Sequence, residues 1–457
     1  MYKQLLFTGA VCALLAACDQ PKEKAREPKQ FAIEDLYDNV TINDVGFNKD
    51  ESKVLVNSNR TGIFNVYELT IADSSLQPLT RSSKESCFGD NYIPGRNQFI
   101  YSSDKGGDEN SHLFLAAKGD TAGKDITPWP GSANNFNGWN ENKTSMYVSS
   151  NKRNPKFFDT WKMDTTTWQA TMLYQNDSGY TVDVISQSER YLALNKSITT
   201  DKNELYLYDR QTKTMKQLSN DHEATWTGAT FEKNDSIFYY TTNDDNEFTY
   251  VVKYNINSGK ADKYYENKWD VLNMTLGETE KYHSIFINED GVTKVLLFDH
   301  ATNKPIELPE MKDMSVSGII ISPTEKNLLL TIGSSTSPSN IFLYNIENKE
   351  LKQLTSTLNK AIDENDLVKA EVIRFKSFDG LDIPAIYYKP LQADENKKVG
   401  ALVWVHGGPG GQSTVGFSNS IQYLVNRGYA VLAVNNRGSS GYGKTFYKMD
   451  NKDHANA

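Results

Sequence analysis

The sequence predicts a seven-bladed β-propeller over residues 41–357, followed by the incomplete front part of a doubly wound α/β domain over 371–457. Three observations lead there. An apolar anchor recurs at the end of successive segments, at Leu79, Ile126, Leu173, Leu218, Tyr264, Leu308 and Leu354, with gaps of 47, 47, 45, 46, 44 and 46 residues. The apolar run Ala401 to Val405 breaks abruptly into His406-Gly407-Gly408-Pro409-Gly410-Gly411. A second apolar run, Tyr429 to Val434, ends in Asn436-Arg437-Gly438, so glycine loops follow two neighbouring strands.

Residues 1–17 read as a lipoprotein signal peptide: a charged start at Lys3, a mostly apolar stretch from Leu5 to Ala17, and small residues at the cleavage point. Leu15-Ala16-Ala17-Cys18 resembles a bacterial lipobox, in which the cysteine becomes the lipidated first residue. A polar tether follows, and residues 18–40 form the lead-in to the propeller. The expectation is a cell-envelope protein of a bacterium, held to the membrane through Cys18 and facing the periplasm or the exterior. Cys12 leaves with the signal and Cys18 carries the lipid, so Cys87 is expected to be a small apolar core residue.

Composition narrows the function classes. The net charge of −9 is spread along the chain with no basic block, which gives nucleic-acid binding no support. The content of 25 Tyr, 20 Phe and 7 Trp favours a β-rich core.

Within each propeller segment a short strand such as Val54 to Asn57, Phe99 to Ser102, Met146 to Ser149 or Leu328 to Ile332 precedes an aromatic-rich one, such as Val66 to Leu69, Leu205 to Tyr208 or Ile341 to Tyr344. Several short strands per period of about 45 residues make one blade. Helical repeats of that period are excluded, because the apolar residues alternate with period two and Asn, Asp, Gly, Ser and Thr interrupt every few residues.

A charged linker, 358–370, then leads into alternating Ile373 and Phe375, the hairpin signal Asp379-Gly380, and Leu381 to Tyr388. Ala401 to Val405 is expected to be a parallel strand buried on both faces. Phe417, Ile421, Leu424 and Val425 recur at helical spacing, with Gly428 placed for a left-handed C-cap. Strand, glycine loop, helix, strand, loop is the opening of an α/β-hydrolase fold. In that fold the loop after the third strand brings a bare backbone N–H close to the substrate carbonyl.

Phe378-Asp379-Gly380, His406-Gly407-Gly408-Pro409 and Asn436-Arg437-Gly438-Ser439-x-Gly441-Tyr442-Gly443 together resemble the prolyl oligopeptidase family of serine peptidases, in its acylaminoacyl-peptidase-like branch. The resemblance implies a propeller ahead of a hydrolase domain, short peptides as substrates and no cofactor. It places the oxyanion hole at His406, Gly407 and Gly408, with the Gly408 amide as donor and His406 shaping the loop. Arg437 is expected to make structural ion pairs.

The chemistry is not complete in this stretch. A serine hydrolase needs a nucleophile in a Gly-x-Ser-x-Gly elbow, then Asp and His, and no such elbow occurs here. Ser439 and Ser440, in the loop after the fourth strand, are not the nucleophile. Two readings stay open: the N-terminal portion of a membrane-anchored serine peptidase, inactive as this fragment, or a non-catalytic periplasmic binding propeller with a vestigial hydrolase segment. His112, His222, His283 and His300 fall in the repeats without metal-ligand spacing, so no metal site is expected.

Overall fold

The computed structural model describes residues 25–311, 313–408 and 410–451, so the expected leader, Cys18 and His454 lie outside the described residues. Seven four-stranded antiparallel sheets follow one another, each with its strands in sequence order. They cover 42–78, 88–125, 134–174, 181–217, 226–265, 270–306 and 314–353. The expected seven-bladed propeller is present.

The repeat read from the sequence has a physical cause. Each anchor sits at or just after the outermost strand of its blade, and in blades 1, 2, 4 and 7 its amide donates to the third strand: Leu79 to Val66 O (2.8 Å), Ile126 to Leu113 O (2.9 Å), Leu218 to Leu205 O (2.8 Å), Leu354 to Ile341 O (2.8 Å). In these four blades the next residue is Thr or Ser, and its hydroxyl accepts from the amide of the same third-strand residue. Val66 donates to Thr80 (2.9 Å), Leu113 to Thr127 (2.8 Å), Leu205 to Ser219 (3.1 Å) and Ile341 to Thr355 (2.9 Å). The pair therefore satisfies both backbone groups of one residue while the anchor side chain enters the core.

Second strands such as Ile237–Thr242 are buried along their whole length between neighbouring blades. Each sheet has a register break where its first two strands pair, for example between Asp44 and Gly46, Val182 and Val184, and Val271 and Asn273. Such bulges bend the inner strands around the central channel.

At the tip of each first hairpin one residue is left-handed: Glu51, Lys143, Glu189, Asp235, Glu280 and Glu325, with Gly95 in blade 2. The acids among them reach the preceding blade. Asp235 accepts from Ser186 (2.8 Å), Glu280 from the Lys233 amide (2.5 Å), Glu325 from the Tyr282 amide (2.9 Å), and Glu51 from the Thr324 amide (2.6 Å). The last of these crosses from blade 1 to blade 7, whose sheets exchange no strand. Apolar packing of Val54, Val56 and Tyr67 on Leu329 and Ile341 completes that seam.

Cys87 is buried with Leu55, Val66, Leu79 and Phe99, as expected of a small apolar residue, and burial pushes its thiol pKa up.

The α/β segment has four strands: β1 (Ala370–Lys376), β2 (Asp382–Tyr388), β3 (Ala401–Val405) and β4 (Ala430–Val434). Their order is β1-β2-β4-β3, with only β3 and β4 parallel. Helix α1 (Asn419–Asn426) starts at Ser418, whose hydroxyl accepts from the Ile421 amide, and it is followed by Gly428 at φ 89°. Ile421 and Val425 pack on Tyr388, Val431 and Ala433.

One expectation fails here. β3 is not buried on both faces: it is the edge of the sheet, and Val403 and Val405 are 66% and 65% exposed. A continuous apolar run signals burial only where neighbours cover it, and among the described residues no further strand or helix packs on β3. Residues around the linker pack instead of hanging free: Ile362 and Leu367 bury Phe31 and Leu36.

Candidate active site

The loop leaving β3 is shaped by glycines. Gly408 (φ 113°) and Gly410 (φ 82°) take backbone angles that L side chains avoid, and a Cβ on Gly411 would lie 2.4 Å from Gly407 O. Gly407 and Gly408 are exposed, and their amides make no hydrogen bond among the described residues. Two bare N–H groups are thus presented where a carbonyl oxygen could approach.

His406 points the other way. Its Nε2 lies 2.8 Å from Ser439 Oγ and its Nδ1 3.1 Å from Gly407 O. Ser439 is fully buried and its hydroxyl donates to Asn436 O (2.7 Å), so the oxygen serves as acceptor for the imidazole N–H. This serine–histidine contact is not a nucleophile and its base. The hydroxyl proton is directed away from the imidazole, Oγ is buried, and among the described residues no carboxylate orients the other ring nitrogen.

The loop after β4 locks the first loop to the propeller. Asn435 accepts from the Ser413 amide (2.7 Å) and donates to Ser413 O (3.0 Å) and the Tyr442 hydroxyl (2.8 Å). Tyr442 is pushed up to about 12, chiefly by burial. Arg437 pairs with Asp379 (2.7 Å) and donates to Ser377 Oγ (3.2 Å), tying this loop to the β1–β2 hairpin, where it has the structural role expected of it.

The glycines of this motif have no room for a side chain. A Cβ on Gly441 would lie 2.4 Å from Asn288 of blade 6 and 2.5 Å from Gln412, and one on Gly443 would lie 2.4 Å from Glu247 of blade 5. Asn288 and Gln412 bond each other at 2.6 Å. Gly441→Ala, at φ 85°, is therefore expected to destabilise the protein by roughly 2 kcal/mol through left-handed strain and a broken domain contact. Urea unfolding checks this, and an unchanged midpoint refutes it.

Between blades 4 to 6 and the two loops lies a cavity of about 340 Å³, walled by Thr227, Asp270 and Leu272 on one side and by Gly410, Ser440 and Gly443 on the other.

Residues 94–357 match the sequence profile of the prolyl oligopeptidase N-terminal beta-propeller domain, and 415–456 match that of the prolyl oligopeptidase family. The chain belongs to the prolyl oligopeptidase family. Dipeptidyl aminopeptidase BIII of Pseudoxanthomonas mexicana is 24% identical over 373 residues, which are 78% of this chain and 53% of that protein. The chain thus spans about half the length of this relative. The acylamino-acid-releasing enzyme of Arabidopsis thaliana is 44% identical over 63 residues, 14% of this chain and 8% of that protein. Prolyl oligopeptidase B from Galerina marginata, solved with a 35mer hydrolysis and macrocyclization substrate, superposes with a TM-score of 0.75 at 14% identity, covering 93% of this chain and 65% of that one. That likeness shows the shared fold: propeller first, then the start of the hydrolase domain.

Sequence reasoning missed two side-chain groupings in this prolyl oligopeptidase family member. His222 Nδ1 lies 2.8 Å from Asp244 and 3.5 Å from Asp245, on an exposed rim where two blades meet. His283 and His300 meet between blades 5 and 6, Nδ1 to Nδ1 at 3.3 Å. Neither has a spacing signal, because each is brought together by the pairing of neighbouring strands within one blade and not by a short local motif.

Proposed function

We propose that these residues are the propeller and oxyanion-loop portion of a membrane-anchored serine peptidase that hydrolyses short peptides, of oligopeptidase or acylaminoacyl-peptidase type. The observation that carries the reading is the pair of exposed, unbonded amides at Gly407 and Gly408, held by glycine-only backbone next to a cavity that the propeller roofs. A preorganised N–H at that place stabilises the oxyanion of acyl transfer, and a binding propeller has no use for it. Gly408 supplies the donor and His406 fixes the loop through Ser439. The propeller restricts entry to short chains, and the nucleophile, acid and base are supplied by residues outside 1–457. Cys18 carries the anchor, and the protein faces the periplasm or the exterior.

The test has two parts. Extending the reading frame beyond Ala457 should give a protein that takes up a fluorophosphonate at a downstream serine and cleaves short peptides, while residues 1–457 alone take up none. Labelling of Ser439 or Ser440 would sink this assignment, and an extended protein with neither label nor cleavage would favour the binding propeller. Mass spectrometry of the mature N-terminus should find acylated Cys18, and Cys18→Ala should lose the acyl mass. An unmodified terminus at any later residue removes the anchor from the proposal.

A further inference from the structure

The chain ahead of the propeller is clasped to the α/β segment, and it runs antiparallel to α1. At the start of the helix Asn39 donates to Asn419 Oδ1 (3.2 Å) and the Tyr37 hydroxyl meets that of Ser420 (2.8 Å). At its end the Phe31 amide donates to Asn426 Oδ1 (3.0 Å), and just beyond, Arg427 donates to Gln30 and to Phe31 O (2.6 Å). Phe31 and Leu36 are buried beneath this clasp. Farther out, the Arg26 amide donates to Leu391 O (2.8 Å), Arg26 pairs with Asp366 (2.6 Å) and Glu27 pairs with Lys397 (2.8 Å). The strap thus leads from the propeller, where the Val40 amide donates to Thr357 O (3.0 Å), to the loop ahead of β3.

That end is remote from the candidate active site. β3 and β4 are parallel, and the loops at their finishing ends face the propeller, with Gly441 against Asn288 and Gly443 against Glu247. Their starting ends, at Ala401 and Ala430, point the other way. There residues 389–400 and Tyr429 form an open face on which Lys389 and Lys398 are exposed and Tyr429 is 45% exposed. Lysine stems and a tyrosine ring, each with an apolar body and a polar tip, suit a headgroup layer. Glu27, Asp394 and Glu395 lie on the same face, so net charge does not select the partner. The tether does. Cys18 stands seven residues before Ala25, whose amide already meets Asp394, and seven residues reach at most about 25 Å fully extended. The far hairpins of the propeller lie a blade's height farther away, on the order of 20 Å for six-residue strands, with the α/β segment between.

We propose that the face formed by residues 389–400 and Tyr429 rests on the phospholipid headgroups of the membrane, held there by the short lead from Cys18. The glycine loops and the propeller then stand outward. The propeller's far mouth, a cavity of about 1050 Å³ among the hairpins at Asp50, Pro94, Lys143 and Pro323, opens to the aqueous compartment. This inference rests on the Cys18 anchor of the reading above.

Energy transfer to rhodamine-labelled lipid is the experiment, with the full-length lipidated protein in vesicles of phosphatidylethanolamine and phosphatidylglycerol. A dye is placed at Lys398→Cys or at Lys49→Cys; Cys87 is buried and stays unlabelled. Transfer from position 398 is expected to exceed transfer from position 49 severalfold. Equal transfer, or stronger transfer from position 49, overturns the proposal. A flexible linker of about twenty Gly and Ser residues inserted after Lys22 adds roughly 25 Å of reach and should draw the two efficiencies together. An unchanged ratio would show that the short lead does not set the orientation, and would overturn the proposal as well. Flotation separates this inference from the anchor itself. A wild type that does not float with the vesicles removes anchor and orientation together, whereas a floating protein with the wrong order of transfer keeps the anchor and refutes the orientation alone. Cys18→Ala is the control and should not float.

Discussion

Replacing the Gly408 residue by glycolic acid in the full-length protein, which turns its amide into an ester, is expected to lower kcat by roughly 10²–10³ and to move KM far less. The change deletes one N–H and leaves the backbone at φ 113°, which no ordinary substitution can do. Proline would force φ to about −65° and collapse the loop. Alanine would sit in left-handed backbone with its Cβ 3.2 Å from the Gly411 amide, so its effect would mix strain with donor loss. A neutral carbonyl gains little from the donor, whereas the tetrahedral oxyanion gains much, and this difference separates kcat from KM. His406→Gln is the companion. It should cost less, because the one imidazole N–H goes to Ser439 Oγ and Nδ1 lies against Gly407 O, which leaves no N–H for the cleft. If the His406 change proves the more damaging while both proteins keep the wild-type circular dichroism, the donor is the imidazole and the assignment to Gly408 is wrong.

What could be read from the sequence was what side-chain periodicity encodes. The anchors from Leu79 to Leu354 were legible because each blade must end with an apolar residue followed, in most blades, by a hydroxyl that caps one third-strand residue. The paired runs Ala401 to Val405 and Tyr429 to Val434 were legible as adjacent parallel strands for the same reason. Burial was not: β4 is covered by α1 and β3 is not, though their sequences are equally apolar. The ring of left-handed acids was also hidden, since Glu51 or Glu280 in a polar turn looks like any solvated residue until the next blade places an amide against it. At the site, the glycines announced bare backbone, and Asn435, whose side chain knits the two loops, gave no signal of its own.

The buried pair between blades 5 and 6 leads to the second large effect, an acid-induced loss of stability that depends on His283. The His283 ring is fully buried and stacked on Phe298 at 5.0 Å with an interplanar angle of 8°; its Nε2 has no partner among the described residues. Burial first, and the His300 charge second, depress its pKa from 6.5 to about 4. His300 in turn faces Glu232 at 3.5 Å, and Glu232 also accepts from the Tyr239 hydroxyl (2.9 Å) and lies 3.7 Å from Lys253. The folded protein therefore resists a proton that the unfolded chain accepts. Stability from this group is fully present above about pH 6.5, falls as the pH drops toward 4, and is flat below that, for a total of about 3 kcal/mol at 1.36 kcal/mol per unit. Asp90 acts in the opposite sense: burial pushes its carboxyl to about 7, so the folded state holds its proton more tightly as the pH falls through the same range. The wild-type slope thus mixes contributions of opposite sign, and the decisive measurement compares it with His283→Phe, which keeps a ring against Phe298 and cannot titrate. Urea midpoints should diverge between pH 6.5 and 4, with the wild type losing ground to the variant by about 3 kcal/mol. Parallel curves across that window would show that His283 is protonated in the folded protein and that the blade interface tolerates its charge.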